Sequence, residues 1–305
     1  MTDDGMTALC FGCHVLDVLA RPVTAIPEGQ GGALLEQIRL SPAGPAGGTA
    51  VTLSKLGAQS VCAGAIGDDA LGDTLVALLQ RHGVDTTHLV RRADVQTSAS
   101  VLPIRPDGSR PALHVIGANA SWTEDDVPWD AVEAATHVHA GAPEITGPEL
   151  SARVLERARA AGAVTSADLL ADGNPDVLAW VSPALAHVDH LLINDEQASG
   201  LAEIDDVAGA CTALLEHGPA VVVATCGADG AVLASADGVE RVPTAPVEVV
   251  DTSGCGDAFS AGYLRGLALG HSLGQAAALG CATAGRVATG LGSDAGEFDL
   301  AAVSS

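Results

Sequence analysis

Short apolar runs of strand length recur along this chain, separated by longer amphipathic segments, and no other feature restricts the fold as much. Val61-Cys62-Ala63, Val138-His139-Ala140, Val164-Thr165-Ser166, Leu191-Leu192-Ile193 and Val221-Val222-Val223-Ala224 have the length and composition of buried strands. Residues 71–80, 149–161 and 207–216 between them read as helices. Such alternation predicts an α/β fold, a mostly parallel sheet with helices on both faces. Two regions break the rhythm. Glu36-Gln37-Ile38-Arg39-Leu40 and Ser98-Ala99-Ser100-Val101-Leu102-Pro103-Ile104 alternate as strands do, and the second leads through Asp107-Gly108, a hairpin signal, to Leu113-His114-Val115-Ile116. Strands without intervening helices predict a small antiparallel lid, drawn from about residues 34–42 and 98–118. No low-complexity linker or internal repeat interrupts the chain, so residues 1–305 read as one domain.

Near the C-terminal end, Asp251-Thr252-Ser253-Gly254-Cys255-Gly256-Asp257 precedes an apolar run with Phe259, Tyr263, Leu264 and Leu267 at helical spacing. A glycine-rich turn opening a helix aims unpaired N–H groups and the positive end of the helix dipole at one point, where an anion such as phosphate is stabilised. A carboxylate there repels phosphate. Asp257 makes sense as a general base for a hydroxyl attacking a phosphoryl group held by the amides of Gly254, Cys255 and Gly256. It makes equal sense as a helix N-cap, for which Asp is favoured. The residues alone leave both readings open.

Composition excludes several partners. A formal charge of −24 repels nucleic acid and anionic membrane alike. Aromatic residues at 2% leave few stacking platforms for single strands. With no apolar window of about 18 residues, and no basic region at Met1-Thr2-Asp3-Asp4, a soluble cytoplasmic protein is expected. Seven cysteines, odd in number and set in apolar segments, fit reduced buried thiols.

Three motifs invite other readings. Cys10-Phe11-Gly12-Cys13-His14 has the haem-attachment spacing, but haem attachment needs export, and the surrounding Ala8–Cys13 reads as a buried strand. His137 and His139 share a strand face and could bind metal, yet they have no acidic or cysteine partner nearby in sequence. The lone lysine, Lys55, lies in Thr52-Leu53-Ser54-Lys55-Leu56-Gly57 and not in a Walker loop, which excludes a P-loop fold.

Asp251-Thr252 through Asp257-Ala258-Phe259 resembles the C-terminal signature of the ribokinase-like (PfkB) carbohydrate kinases, with Cys255 in place of the usual Ala. Ala46-Gly47-Gly48-Thr49-Ala50, Leu56-Gly57-Ala58 and Gly64-Ala65-Ile66-Gly67-Asp68 are similar to the family's N-terminal signature. Gly117-Ala118-Asn119 resembles a triplet of ribokinase-type members, and Thr225-Cys226-Gly227-Ala228-Asp229-Gly230 the nucleotide-loop motif. The matches follow the family's order over roughly residues 8 to 292.

The resemblance implies ATP-dependent phosphorylation of a primary sugar hydroxyl, with ATP and Mg2+ and with Asp257 as base. Asp17, read as the end of the first strand, would hold sugar hydroxyls, with Gly47, Gly48, Thr49 and Asn119 beside it and the lid residues Arg110 and His114 within reach. Thr49 stands where the family commonly has Asn, and Val15 where ribokinase has a polar residue. Both departures argue against ribose. Asn194, Thr225, Gly227, Gly230, Thr252, Gly254 and Gly256 would hold the nucleotide, and residues 283–292 would border the adenine. Gln197 replaces the acid of the family's Asn-x-x-Glu motif, with Glu196 adjacent but turned elsewhere. Asp251 corresponds to a monovalent-cation (K+) site in some members. A homodimer through the lid is also compatible with the resemblance. A nucleoside kinase of the adenosine type is the alternative within enzymes, and a non-catalytic sugar- or nucleotide-binding regulator the alternative outside them.

Overall fold

The computed structural model describes residues 5–304; Met1–Asp4, on which the expectation of no signal peptide rests, lie outside them. The strands in chain order are β1 (Thr7–Gly12), β2 (Val15–Arg21), β3 (Gln37–Ala43), β4 (Gln59–Gly67), β5 (Asp85–Arg92), β6 (Ala99–Pro103), β7 (Leu113–Val115), β8 (His137–Gly141), β9 (Val164–Asp168), β10 (His190–Asn194), β11 (Val221–Thr225), β12 (Ala231–Ser235) and β13 (Gly238–Val242). Nine form the main sheet in the order β13-β12-β11-β10-β9-β8-β1-β4-β5. Its pairs from β5 through β11 are parallel, and β12 and β13 add an antiparallel edge.

Alternation along each strand splits the core into two layers. Ala8 and Cys10 of β1 face the layer that includes helices Pro45–Lys55, Ala70–Arg81, Cys255–Ala268 and Leu273–Ala288. Leu9 and Phe11 face the layer of helices Pro148–Ala160, Pro175–Leu185, Asp195–Ala202 and Val207–Leu214. Each fully buried Leu or Phe contributes about 1.5–3 kcal/mol, so a one-residue slip in β1 would misplace several such contributions. The helices at 71–80, 149–161 and 207–216 form where the periodicity put them, within a residue or two at each end. No helix among the described residues is long and apolar enough to cross a membrane.

The second sheet is the lid, in the order β3-β2-β6-β7, and it is mixed where an antiparallel lid was expected: β2 pairs β6 in parallel, because the chain passes through β3, β4 and β5 before it returns to the lid. Arg105 N–H donates to Ser109 O at 2.9 Å across the Asp107-Gly108 turn, and Gly108 adopts φ +82 as that turn requires. A second expectation is corrected. Asp17 does not end the first strand; it lies inside β2, a lid strand that sequence reading missed. The break falls at Gly12, whose φ is +120 and whose added Cβ would overlap Gly141 O, so only glycine fits. Cys13 and His14 carry the chain from one sheet to the other. Both cysteines of Cys10-x-x-Cys13 are buried, with burial pushing the Cys10 thiol up to about 12, so neither is poised for covalent attachment. His139 is buried in β8, its Nδ1 paired with Ser166 Oγ at 2.9 Å, and burial pulls its pKa down to about 4.

Candidate active site

Gly254 opens the helix Cys255–Ala268 in the left-handed region, at φ +73, and Ser293 packs so closely that a Cβ on Gly254 would overlap it. Gly254 is the N-cap, and no side chain caps this helix, which decides against the cap reading of Asp257. Asp257 stands in the first turn, beside first-turn N–H groups that have no acceptor within the helix. Cys255 N–H reaches Thr252 O at 3.3 Å, and the Cys255 thiol faces Ala284 O on the adjacent helix.

The Asp257 carboxyl is pushed up to about 7, first by burial, then by the charge of Asp17, with Arg110 opposing. It lies against the N-terminal turn of Pro45–Lys55, where a Cβ on Gly48 would overlap its Oδ2. Thr49 Oγ1 donates to Asp257 O at 3.3 Å. The Gly-Gly-Thr signature thus seats the helix carrying Asp257. Gly47 packs against His14, and Asn119 is buried with its amide bonded to both N–H and C=O of His14, at 3.1 and 3.2 Å. None of these four residues lines the cavity of the site, whose wall here is supplied by Ala43, Gly44 and Pro45. Neither Thr49 nor Asn119 lines the lid cavity, and the polar group of each bonds backbone, Thr49 at Asp257 and Asn119 at His14.

A cavity of about 550 Å³ opens between lid and main sheet. Asp17, Ser100, Arg110 and His114 line its lid side; Asp168, Asn194 and Thr225 line it from the carboxyl ends of β9, β10 and β11; Gly254, Gly256 and Asp257 close its floor. Carboxyl ends of parallel strands are where α/β sheets collect ligand groups. Burial pushes the Asp17 carboxyl up to about 6; hydrogen bonding to Ser100 and the charge of Arg110 oppose this. Ser100 Oγ in turn pairs with His114 Nδ1 at 2.9 Å. Asp168 was missed in sequence. It is buried, pushed well above the ordinary carboxylate range by burial and by the charges of Asp257 and Glu144, and Ser260 Oγ lies 3.5 Å away. Its place as the last residue of the apolar run Val164–Asp168 was the available signal.

A second cavity of about 470 Å³ shares Asn194, Thr225, Thr252, Gly256 and Phe259 with the first. Gly227 and Gly230 line it, as do Val247, Val249, Ala284 and Ala288. Residues 283–292 do not all border it. Thr283 is buried against Leu279 O, and Gly292 N–H is turned toward Asp251. Sequence reading also missed the wall at residues 244–249, which carries no regular pattern. Gln197 has a clear structural use. Its side chain and Asn194's cap each other reciprocally, and its amide donates to Leu169 O and Ala171 O at 2.9 and 2.8 Å. A glutamate could not donate those bonds. Glu196 is exposed and lines the second cavity. Asp251 is fully buried; it accepts from Ser253 N–H and Oγ–H and from Gly292 N–H, and Arg110 Nε lies 3.7 Å away. Lys55 reaches neither cavity, because its ammonium donates to the carbonyls of Asp294, Ala295 and Gly296 at 2.8, 3.3 and 2.7 Å.

The two cavities meet at a glycine-rich helix start, with the half-buried carboxyl of Asp257 lining the first. The chain belongs to the pfkB family of carbohydrate kinases, whose model matches residues 8–297. It is 28% identical to a nucleoside kinase of Methanothermobacter thermautotrophicus over 81% of this chain and 78% of that one. It is 29% identical to an ATP-dependent ribose-1-phosphate kinase of Halopiger xanaduensis, over 88% and 89% of the two chains, and to a fructokinase of Klebsiella pneumoniae, over 81% of each. The fold matches Arabidopsis thaliana ribokinase complexed with ribose and ATP at a TM-score of 0.84, with 21% identity over 98% of this chain and 97% of that chain. Fructokinase with bound ATP from Xylella fastidiosa matches at 0.82, with 22% identity over 97% and 96%.

Proposed function

We propose that this kinase transfers the terminal phosphoryl group of ATP to a hydroxyl of a free sugar, with Asp257 as general base. One observation carries the proposal: a half-buried carboxyl, its pKa pushed up to about 7, faces the lid cavity from the same helical turn that borders the second cavity. A base with a pKa near the working pH both accepts a proton readily and is ionised enough to do so. Asp17 accepts hydrogen bonds from substrate hydroxyls on the lid side and orients the sugar. Asp257 takes the proton of the attacking hydroxyl. The first-turn amides and the helix dipole stabilise the negative charge on the transferring group without a phosphate lysine.

Mg2+ fits the donor chemistry: Asp168 lines the first cavity and Glu196 the second, and a divalent ion held by either would neutralise charge on the donor phosphates. A monovalent cation such as K+ fits beside Asp251, whose buried carboxylate has only neutral donors and Arg110 at 3.7 Å to compensate it. The outer face of the lid presents Ile38, Leu40, Val101, Leu113 and Val115, all well exposed, and this is the face we assign to a homodimer. Its seven free thiols suit the reducing cytoplasm. The nucleoside reading stays as the second, favoured by the apolar Val15, Leu102 and Ala112 among the lining residues. A thermal-shift screen of sugars and nucleosides, with and without a non-hydrolysable ATP analogue, separates the two: sugars alone should raise the midpoint, and a shift with nucleosides only would transfer the function to the second reading.

A further inference from the structure

One row of side chains crosses the whole lid in register. Ser41 of β3 stands opposite Asp17 of β2, Asp17 opposite Ser100 of β6, and Ser100 opposite His114 of β7. Partners directly opposite in a sheet share a face, so all four point the same way. Asp17, Ser100 and His114 line the substrate cavity. Ser41 does not stop at the lid: its Oγ–H donates to Asp294 Oδ1 at 2.6 Å.

Asp294 gathers groups from three separate elements. Arg39 Nη2, two residues before Ser41 on β3, donates to the same carboxylate at 2.9 Å, and His82 Nε2 approaches its other oxygen at 3.0 Å. Lys55 holds the carbonyl of Asp294 and the two after it. These contacts and the charge of Arg39 hold the buried carboxyl down to about 2 despite its desolvation. The two residues before it reach the other side of the segment, although Gly292 also packs on Ser41. Ser293 packs on Gly254 and lines the cavity, and Gly292 N–H donates to Asp251 Oδ2 at 2.9 Å. Residues 292–294 therefore stand between the lid strand that pairs with Asp17's strand and the turn that would hold the phosphoryl group. Leu291 also packs against Leu19, Leu102 and Ile104 of the lid, and a charge buried beside that contact is costly unless it is fully partnered.

The geometry points to Asp294 as a positioning residue that couples the two cavities: it ties the lid row carrying Asp17 to the Gly254 turn, so that ligand at one cavity orders the other. The inference rests on the kinase reading above. Coupling of this kind is a free energy between sites, so it must be visible from the nucleotide side alone.

Amide hydrogen exchange with and without a non-hydrolysable ATP analogue and Mg2+ tests it without any sugar. In the unaltered protein the analogue should slow exchange at residues 254–258 and also, by about tenfold, along β3, the scale of a charged hydrogen bond gained or lost. In Asp294→Asn the slowing at 254–258 should persist and the slowing along β3 should vanish. Arg39→Ala, whose side chain is 31% exposed, should act in the same sense and serves if Asp294→Asn fails to fold. A merely structural role would raise β3 exchange equally with and without the analogue. Equal slowing of β3 in the variants, or no slowing of β3 in the unaltered protein, overturns the inference. An analogue that leaves 254–258 unchanged in the unaltered protein overturns the kinase reading, and this inference with it.

Discussion

Replacing Asp257 by Asn should remove activity and add stability at once. The carboxyl is pushed from 3.8 to about 7, a difference of roughly 3 pH units, or about 4 kcal/mol at about 1.36 kcal/mol per unit. A raised carboxyl favours folding fully below its unfolded pKa, and that contribution is lost as pH rises through the folded pKa. Above about pH 7 the native protein therefore carries a half-buried, poorly compensated carboxylate that the amide lacks. Asp257→Asn should match the unaltered protein near pH 4 and exceed it near pH 8 by up to about 4 kcal/mol, which is about 8 °C in midpoint for a chain of this size. Its kcat should fall by at least about 100-fold, with nucleotide affinity nearly unchanged. Thermal melts across pH, read beside steady-state kinetics and nucleotide titration, measure all three. A variant that keeps its kcat, or that melts lower at high pH, would refute the assignment of Asp257 as a strained base.

Other substitutions probe the remaining parts. Asp17→Ala should raise the sugar KM by about 1.5–3 kcal/mol equivalent for each charged hydrogen bond lost, with ATP affinity almost untouched, and Asp17→Asn should be milder; calorimetric titration of both ligands decides. Equal weakening of ATP and sugar would make Asp17 a structural residue. Gly254→Val must hold a branched side chain at φ +73 against Ser293, so turnover and nucleotide binding should fail together, and full activity in a folded variant would place the phosphoryl group elsewhere. Gln197→Glu replaces two donated bonds by repulsion between a carboxylate and the carbonyls of Leu169 and Ala171, which should cost about 1–3 kcal/mol in denaturant melts; an unchanged midpoint would contradict that role.

The main sheet was legible because its parallel strands are buried on both faces and read as plain apolar runs. The lid strands at residues 37–43 and 99–103 were legible for the opposite reason, since one exposed face forces alternation. Strand β2 was not. Residues 8–20 are almost continuously apolar, and nothing in their hydropathy marks the change of sheet at Gly12, which depends on Gly141 O approaching from another strand. The same limit explains the site. Asp257 could be singled out because the glycine-rich turn and helix start around it are contiguous in sequence. The uses of Thr49 and Asn119 depend on partners at Asp257 and His14, 208 and 105 residues away, which spacing cannot disclose. Asp168 sits at a strand end that looked like any other until β9, β10 and β11 were aligned. The meaning of Gln197 appeared only with the two carbonyls it ties down.

The central claim is that the two cavities exchange a phosphoryl group across Asp257. Phosphorus NMR of the protein with ATP, Mg2+ and a panel of free sugars and nucleosides tests it most directly. ADP and a new phosphomonoester resonance should appear with a sugar, and neither should appear with Asp257→Asn on the same timescale. ATP that stays intact with every compound, or that yields only inorganic phosphate, would contradict it.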